Sequence, residues 1–129
     1  VSTIQFEQAV KKLLDEYGDS VTKDLNESLV AAGKEAKKRL RADTTFSQTD
    51  EYRSGWNTVV ENKRVGATKV IVANTGKHGA LAHLLEHGHP IRNGSGKTYG
   101  NVEGKPHIAP IEEAVNEYLI NEVERRLKG

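Results

Sequence analysis

The chain has 129 residues, 36% hydrophobic and only 5% aromatic, which bounds it to one domain whose core is built from Val, Leu, Ile and Ala. Charged residues reach 29% but nearly cancel to a formal +1, which argues against a sequence-specific nucleic-acid binder with its usual basic excess. The absence of cysteine excludes disulfides and thiolate chemistry, and no apolar run approaches the roughly 20 residues of a membrane span, so no membrane partner is expected.

The segment Val1 to Phe6 lacks the basic-then-apolar layout of a signal peptide, so the cytoplasm of the producing cell is the expected place of synthesis. From there the chain reads as helix. Phe6, Val10, Leu13, Leu14 and Tyr17 keep the three-and-four spacing of one apolar face. Gly18-Asp19-Ser20 is a break in which Asp19 or Ser20 is placed to cap a second helix. That helix carries Val21, Leu25, Leu29, Ala32, Ala36 and Leu40, and would be about 30 Å long. Lys34, Lys37, Lys38, Arg39 and Arg41 crowd its last turns, where cations face the negative end of the helix dipole and are read as solvated.

Asp43 to Asp50 is polar and non-periodic, hence a loop. From Tyr52 the period changes to two, with Tyr52, Ser54, Trp56, Thr58 and Val60 on one strand face. Turn residues at 62–67 and a second strand at Thr68–Asn74 complete an antiparallel hairpin over 52–74. After the turn Thr75–Gly79, Ala80–His87 predicts a short helix with Ala80, Leu81, Leu84 and Leu85 on its buried side. Gly88–Gly104 holds five glycines and little that packs, and reads as a long flexible loop. Pro106 and Pro110 stiffen the chain beyond it, Pro110 suiting the first turn of a terminal helix at 110–127. Its stripe is Ile111, Ala114, Val115, Tyr118, Leu119, Val123 and Leu127. The fold class is α+β: a long N-terminal helical region, an antiparallel hairpin or small sheet, a short central helix and a C-terminal helix packed on the sheet.

His83-Leu84-Leu85-Glu86-His87 matches H-x-x-E-H, the inverted zinc-peptidase pattern. On a helix His83 and His87 lie one turn apart and can share a metal, with Glu86 as general base toward the bound water. A small metal-dependent hydrolase is therefore the alternative reading. Against it, the segment after His87 is too short for the usual downstream acidic ligand. The two-turn helix also meets Gly88 at once, and such peptidases are much larger. His89 and His107 remain improvised ligands at best. Gly94-Ser95-Gly96-Lys97-Thr98 ends like a phosphate-binding loop, but Ile91 stands where its first glycine belongs, and no strand precedes it nor helix follows. Nothing ties Ser54 or Ser95 to a histidine base. No catalytic residue, metal or cofactor is assigned.

A string of elements carries the other reading: Thr49-Asp50-Glu51-Tyr52-Arg53-Ser54-Gly55-Trp56, the hairpin ending at Val70–Asn74, Ala82-His83-Leu84-Leu85-Glu86-His87-Gly88, and Pro106-His107-Ile108-Ala109-Pro110-Ile111 before the last helix. In order and spacing this resembles the minor structural proteins of siphophage-type tailed phages and prophages, the tail-component, tail-completion or head–tail joining family. It departs from the common pattern at Asp50-Glu51, where many members have glycine, and at Ile111, where alanine is usual. The resemblance implies a non-enzymatic virion protein at the head–tail junction or tail, made in the bacterial host cytoplasm. It implies a ring of copies that contacts neighbouring neck, head-completion or tail proteins. Tyr52, Trp56, Glu86, Gly88, Pro106, His107 and Pro110 are its motif positions, expected to be structural or interfacial. Glu86 is expected to tie down nearby backbone, Gly88 to end a helix, and Trp56 to pack in the core. The Asp43–Asp50 and Gly88–Gly104 loops are the segments expected to order on assembly.

Overall fold

A computed structural model describes residues 2–45, 50–62, 66–92 and 98–129. The chain opens with a two-residue strand that the sequence pattern does not reveal, β1 (Ile4–Gln5), and then α1 (Glu7–Tyr17). Gly18 ends α1 at φ +72°, its N–H donating to the Leu14 carbonyl at 2.8 Å. A 3₁₀ turn (Asp19–Val21) leads into α2 (Thr22–Ala42). Neither Asp19 nor Ser20 caps α2 with its side chain, a correction to the expected cap. The Ser20 hydroxyl instead donates back to the Tyr17 carbonyl at 3.3 Å, and the Thr22 hydroxyl to the Asp19 carbonyl at 2.7 Å. The 3₁₀ turn accounts for this, because it continues into α2 with the residue before Thr22 already helical.

α2 is the axis of the molecule. Leu25, Leu29, Ala32, Ala36 and Leu40 are buried along its inner stripe. On one side it meets α5 (Ile108–Leu127), and on the other the three-stranded antiparallel sheet β1-β3-β2, where β2 is Trp56–Glu61 and β3 is Lys69–Asn74. The register pairs Ile4 with Val72 across one edge of β3, and Thr58 with Val72 across the other. α2 and the sheet approach closely at Gly33, where a Cβ would stand 2.8 Å from Val70 Cγ1 and 2.9 Å from Thr58 Cγ2. The C-terminal helix was expected on the sheet. α5 meets it at β1 and otherwise lies along α2, which covers β2 and β3.

The hairpin begins later than its alternation suggests. Asp50–Ser54 forms a short helix, α3, and β2 starts only at Trp56. The spacing Tyr52 to Trp56 fits one helical turn as well as two strand steps. Packing selects the turn: Tyr52 and Trp56 are both buried, rings edge-on with centroids 6.0 Å apart. The Asn74 side chain donates to the Tyr52 carbonyl at 2.7 Å, beside the Gly55 N–H at 3.2 Å. The inward face then runs out, since Trp56 is fully buried but Val60 is 40% exposed.

Two further expectations are corrected. The short helix is a 3₁₀ turn (Gly79–Leu81) followed by α4 (Ala82–His87), and its buried residues are Ala82 and Glu86, while Leu81 and Leu84 are exposed. Gly88–Gly104 is not one long loop: β4 (Gly88–Arg92) and β5 (Thr98–Glu103) pair antiparallel as a separate two-stranded ribbon. Glycine count misleads here, because Gly88 and Gly104 serve a close backbone crossing rather than freedom. A Cβ on Gly88 would lie 2.4 Å from the Val102 carbonyl oxygen, and one on Gly104 2.5 Å from that of Glu86. The P-loop-like glycines, Ser95 and Lys97, and residues 46–49 of the Asp43–Asp50 loop, lie outside the described residues; Asp43 leaves α2 in extended conformation and Asp50 already belongs to α3.

The Gly33 contact allows a sharp test. Gly33→Ala should gain about 1 kcal/mol of helix propensity, yet its methyl meets two β-branched side chains that cannot swing away, an overpacking cost of roughly 1–3 kcal/mol. We expect urea denaturation of Gly33→Ala to show a lower midpoint than the wild type at unchanged slope; a raised midpoint would mean that the α2–sheet contact is soft.

Candidate functional site: a buried carboxylate joining three helices

Glu86 is the last but one residue of α4, and at 3% exposure it is buried. Its Oε1 accepts from the backbone N–H of His107 at 2.7 Å and of Ile108 at 2.8 Å, and its Oε2 from Ala109 at 2.9 Å. These are the N-cap and first two residues of α5. A helix leaves its first four N–H groups without internal partners, and here the fourth residue is Pro110, which has none. One carboxylate satisfies three donors and a proline removes the fourth. The positive end of the α5 dipole adds to the attraction.

His107 extends the site. Its Nδ1 lies 2.9 Å from Glu86 Oε1 and 3.0 Å from the Lys105 carbonyl oxygen, both pure acceptors, so Nδ1 carries the proton. In the neutral ring Nε2 then accepts, and the Tyr52 hydroxyl donates to it at 2.7 Å. Tyr52, His107 and Glu86 thus link α3, the start of α5 and the end of α4 in one buried chain of hydrogen bonds. Burial pushes the Tyr52 hydroxyl well above the ordinary tyrosine range, with the negative charges of Glu86 and Asp43 adding to it, so it remains a donor. For Glu86 burial pushes the carboxyl upward, but the three backbone N–H groups and His107 outweigh it, and its net displacement is below the ordinary carboxylate value.

The other motif positions stand around this network. Gly88 ends α4 at φ +79° and starts the ribbon. The Lys105 N–H donates to the Leu85 carbonyl at 2.9 Å, closing the C-terminal end of α4. Pro106 precedes His107 and is exposed. Trp56 packs beside Tyr52 and is not among the hydrogen-bonded set. Sequence reasoning passed over Asn74, which bonds the Tyr52 carbonyl and receives the Gly76 N–H at 3.1 Å. It also passed over Arg41, read as a solvated cation: its Nε donates to the Trp56 carbonyl at 3.1 Å. No local pattern marks either one.

The zinc-peptidase motif is split by this geometry. His83 and His87 are exposed on α4, ring centroids 4.8 Å apart, but Glu86 is buried with both oxygens occupied by α5. Among the described residues no three His, Asp or Glu side chains are grouped to hold a metal. What the arrangement does chemically is hold: it fixes α4 and the ribbon beyond it against the first turn of α5.

The model of one protein family, described as "Bacteriophage HK97-gp10, putative tail-component", matches residues 8–88. The chain belongs to this family. The match spans α1 to the end of α4 and stops at Gly88, so Glu86 lies within it while the ribbon, Pro106, His107 and Pro110 lie beyond. No curated protein and no solved structure matches the chain. Membership in a phage tail-component family places the chain among bacteriophage structural proteins, and no helix among the described residues is long and apolar enough to cross a membrane.

Glu86→Ala would strand three donors where α4 meets α5, a loss on the order of 3 kcal/mol or more at neutral pH. The sign of the pH effect comes from the lowered carboxyl: its contribution is fully present above the unfolded carboxylate pKa of 4.5 and is lost as pH falls through the folded value. Denaturation midpoints between pH 7 and pH 3 should therefore fall less steeply for Glu86→Gln than for the wild type. Parallel curves would show that Glu86 is not held as a carboxylate. His83→Ala, on the exposed side, should stay within about 0.5 kcal/mol of wild type.

Proposed function

We propose that this phage tail-component family member is a non-enzymatic, ring-forming subunit that joins or completes the interface between head and tail, contacting copies of itself and neighbouring neck or tail proteins. The family match over residues 8–88 carries the reading. The structure supports it in two respects. The buried polar network is spent on holding secondary structure, with Glu86 and His107 both under 5% exposed and away from solvent-borne substrate. The β4–β5 ribbon, by contrast, is attached to the body mainly at α4, the arrangement of an arm that meets something else.

Electron cryomicroscopy of the intact particle should place the protein at the neck or at the head-proximal end of the tail. Replacing Arg92–Tyr99 by a short Gly/Ser linker should leave the body folded, because α1, α2, α5 and the three-stranded sheet lie elsewhere, yet yield separate filled heads and free tails. Normal infectious particles from that mutant would remove the ribbon from the interface.

A further inference from the structure

The three-stranded sheet has two edges, and the chain treats them differently. At β1 the edge is closed by α5: the Gln5 N–H donates to Glu112 Oε2 at 3.2 Å, and the Asn116 side chain donates to the Gln5 carbonyl at 3.0 Å. At β2, among the described residues, the edge is closed at its beginning by Arg41 on the Trp56 carbonyl. Beyond it Val59 is 51% exposed and Val60 40%. Neighbouring residues of a strand point to opposite faces, so among the described residues the outer half of β2 is partly exposed on both. Proteins ordinarily guard such an edge with charge, proline or a covering element.

The same chain carries a complementary element. An isolated two-stranded ribbon is marginally stable in water, and among the described residues β5 pairs with β4 alone. Of the ribbon's two strands, β4 contains Pro90, which withholds a backbone donor. β5 contains no proline and exposes Val102 at 43%. The charges set the direction of pairing. β2 ends in Glu61 and β5 in Glu103, both exposed. Parallel alignment would set these carboxylates side by side. Antiparallel alignment separates them and brings Glu103 toward Arg41 at the start of β2.

We infer that β5 of one copy adds antiparallel to the exposed edge of β2 in the next copy, with Val102 paired across from Val60. Because the two surfaces differ, the contact is head-to-tail, the kind that closes into a ring when its rotation permits. The inference rests on the ring-forming reading above and names the surfaces that make the ring.

The chain has no cysteine, so introduced thiols are the only ones it carries. Phage particles carrying Val60→Cys with Val102→Cys in the same chain are treated with a short bis-maleimide, whose span tolerates a slip of a residue or two. Denaturing electrophoresis should show a ladder of dimer, trimer and higher species from the double variant, and at least tenfold less linked product from either single variant. Efficient dimers from Val60→Cys alone would mean that β2 edges pair with each other, overturning the inference. Particles that hold several copies of the protein by mass spectrometry but give no ladder would overturn this contact and leave the tail reading standing. Particles lacking the protein altogether would overturn the tail reading, and this contact with it.

Discussion

The structure depends on one carboxylate. Glu86 reaches across from the end of α4 and takes the first three N–H groups of α5, while Pro110 leaves no fourth to satisfy. A buried charge is costly unless its lone pairs are filled, and here the partners are backbone groups that a helix must satisfy somewhere in any case. Two deficits, an ion away from water and an uncapped helix, cancel each other. His107 and Tyr52 then extend the same network to α3, so that three helices separated in sequence share one polar centre within a mainly apolar core.

This centre sits where the family-matched body ends and the ribbon begins. α1, α2 and the three-stranded sheet are stabilised by Val, Leu, Ile and Ala packed along α2, an arrangement that specifies a rigid body but no particular chemistry. The ribbon leaves that body at Gly88 and returns at Gly104, two positions where backbone crosses backbone too closely for a side chain. The Glu86 network clamps both strands of that crossing, through α4 on one side and the His107 turn on the other.

The H-x-x-E-H pattern shows why a motif needs its surroundings. The spacing sets His83 and His87 one turn apart on α4 with Glu86 beside them. In a peptidase that glutamate faces the metal-bound water; in this chain it is buried against the first turn of α5. The same five residues therefore make a surface pair of histidines and an internal cap.

Much was legible in the residues themselves. The stripes Leu25–Leu40 and Val115–Val123, the break at Gly18 and the strand Lys69–Asn74 are local patterns, because helical and strand periods are imposed by geometry within a few residues. The sequence by itself determined the α+β class, the long helices, the absence of thiol chemistry and, through its motif order, the tail-component family. Only the tertiary structure decided the rest. Tyr52 to Trp56 fits a strand and a helical turn equally, and burial against His107 selected the turn. Gly88–Gly104 has the composition of a loop, and backbone pairing that no side-chain pattern encodes made it a ribbon. Glu86 finds its partners twenty-one to twenty-three residues downstream, and a hydrogen bond to backbone N–H leaves no signature in the identity of the residues that donate it.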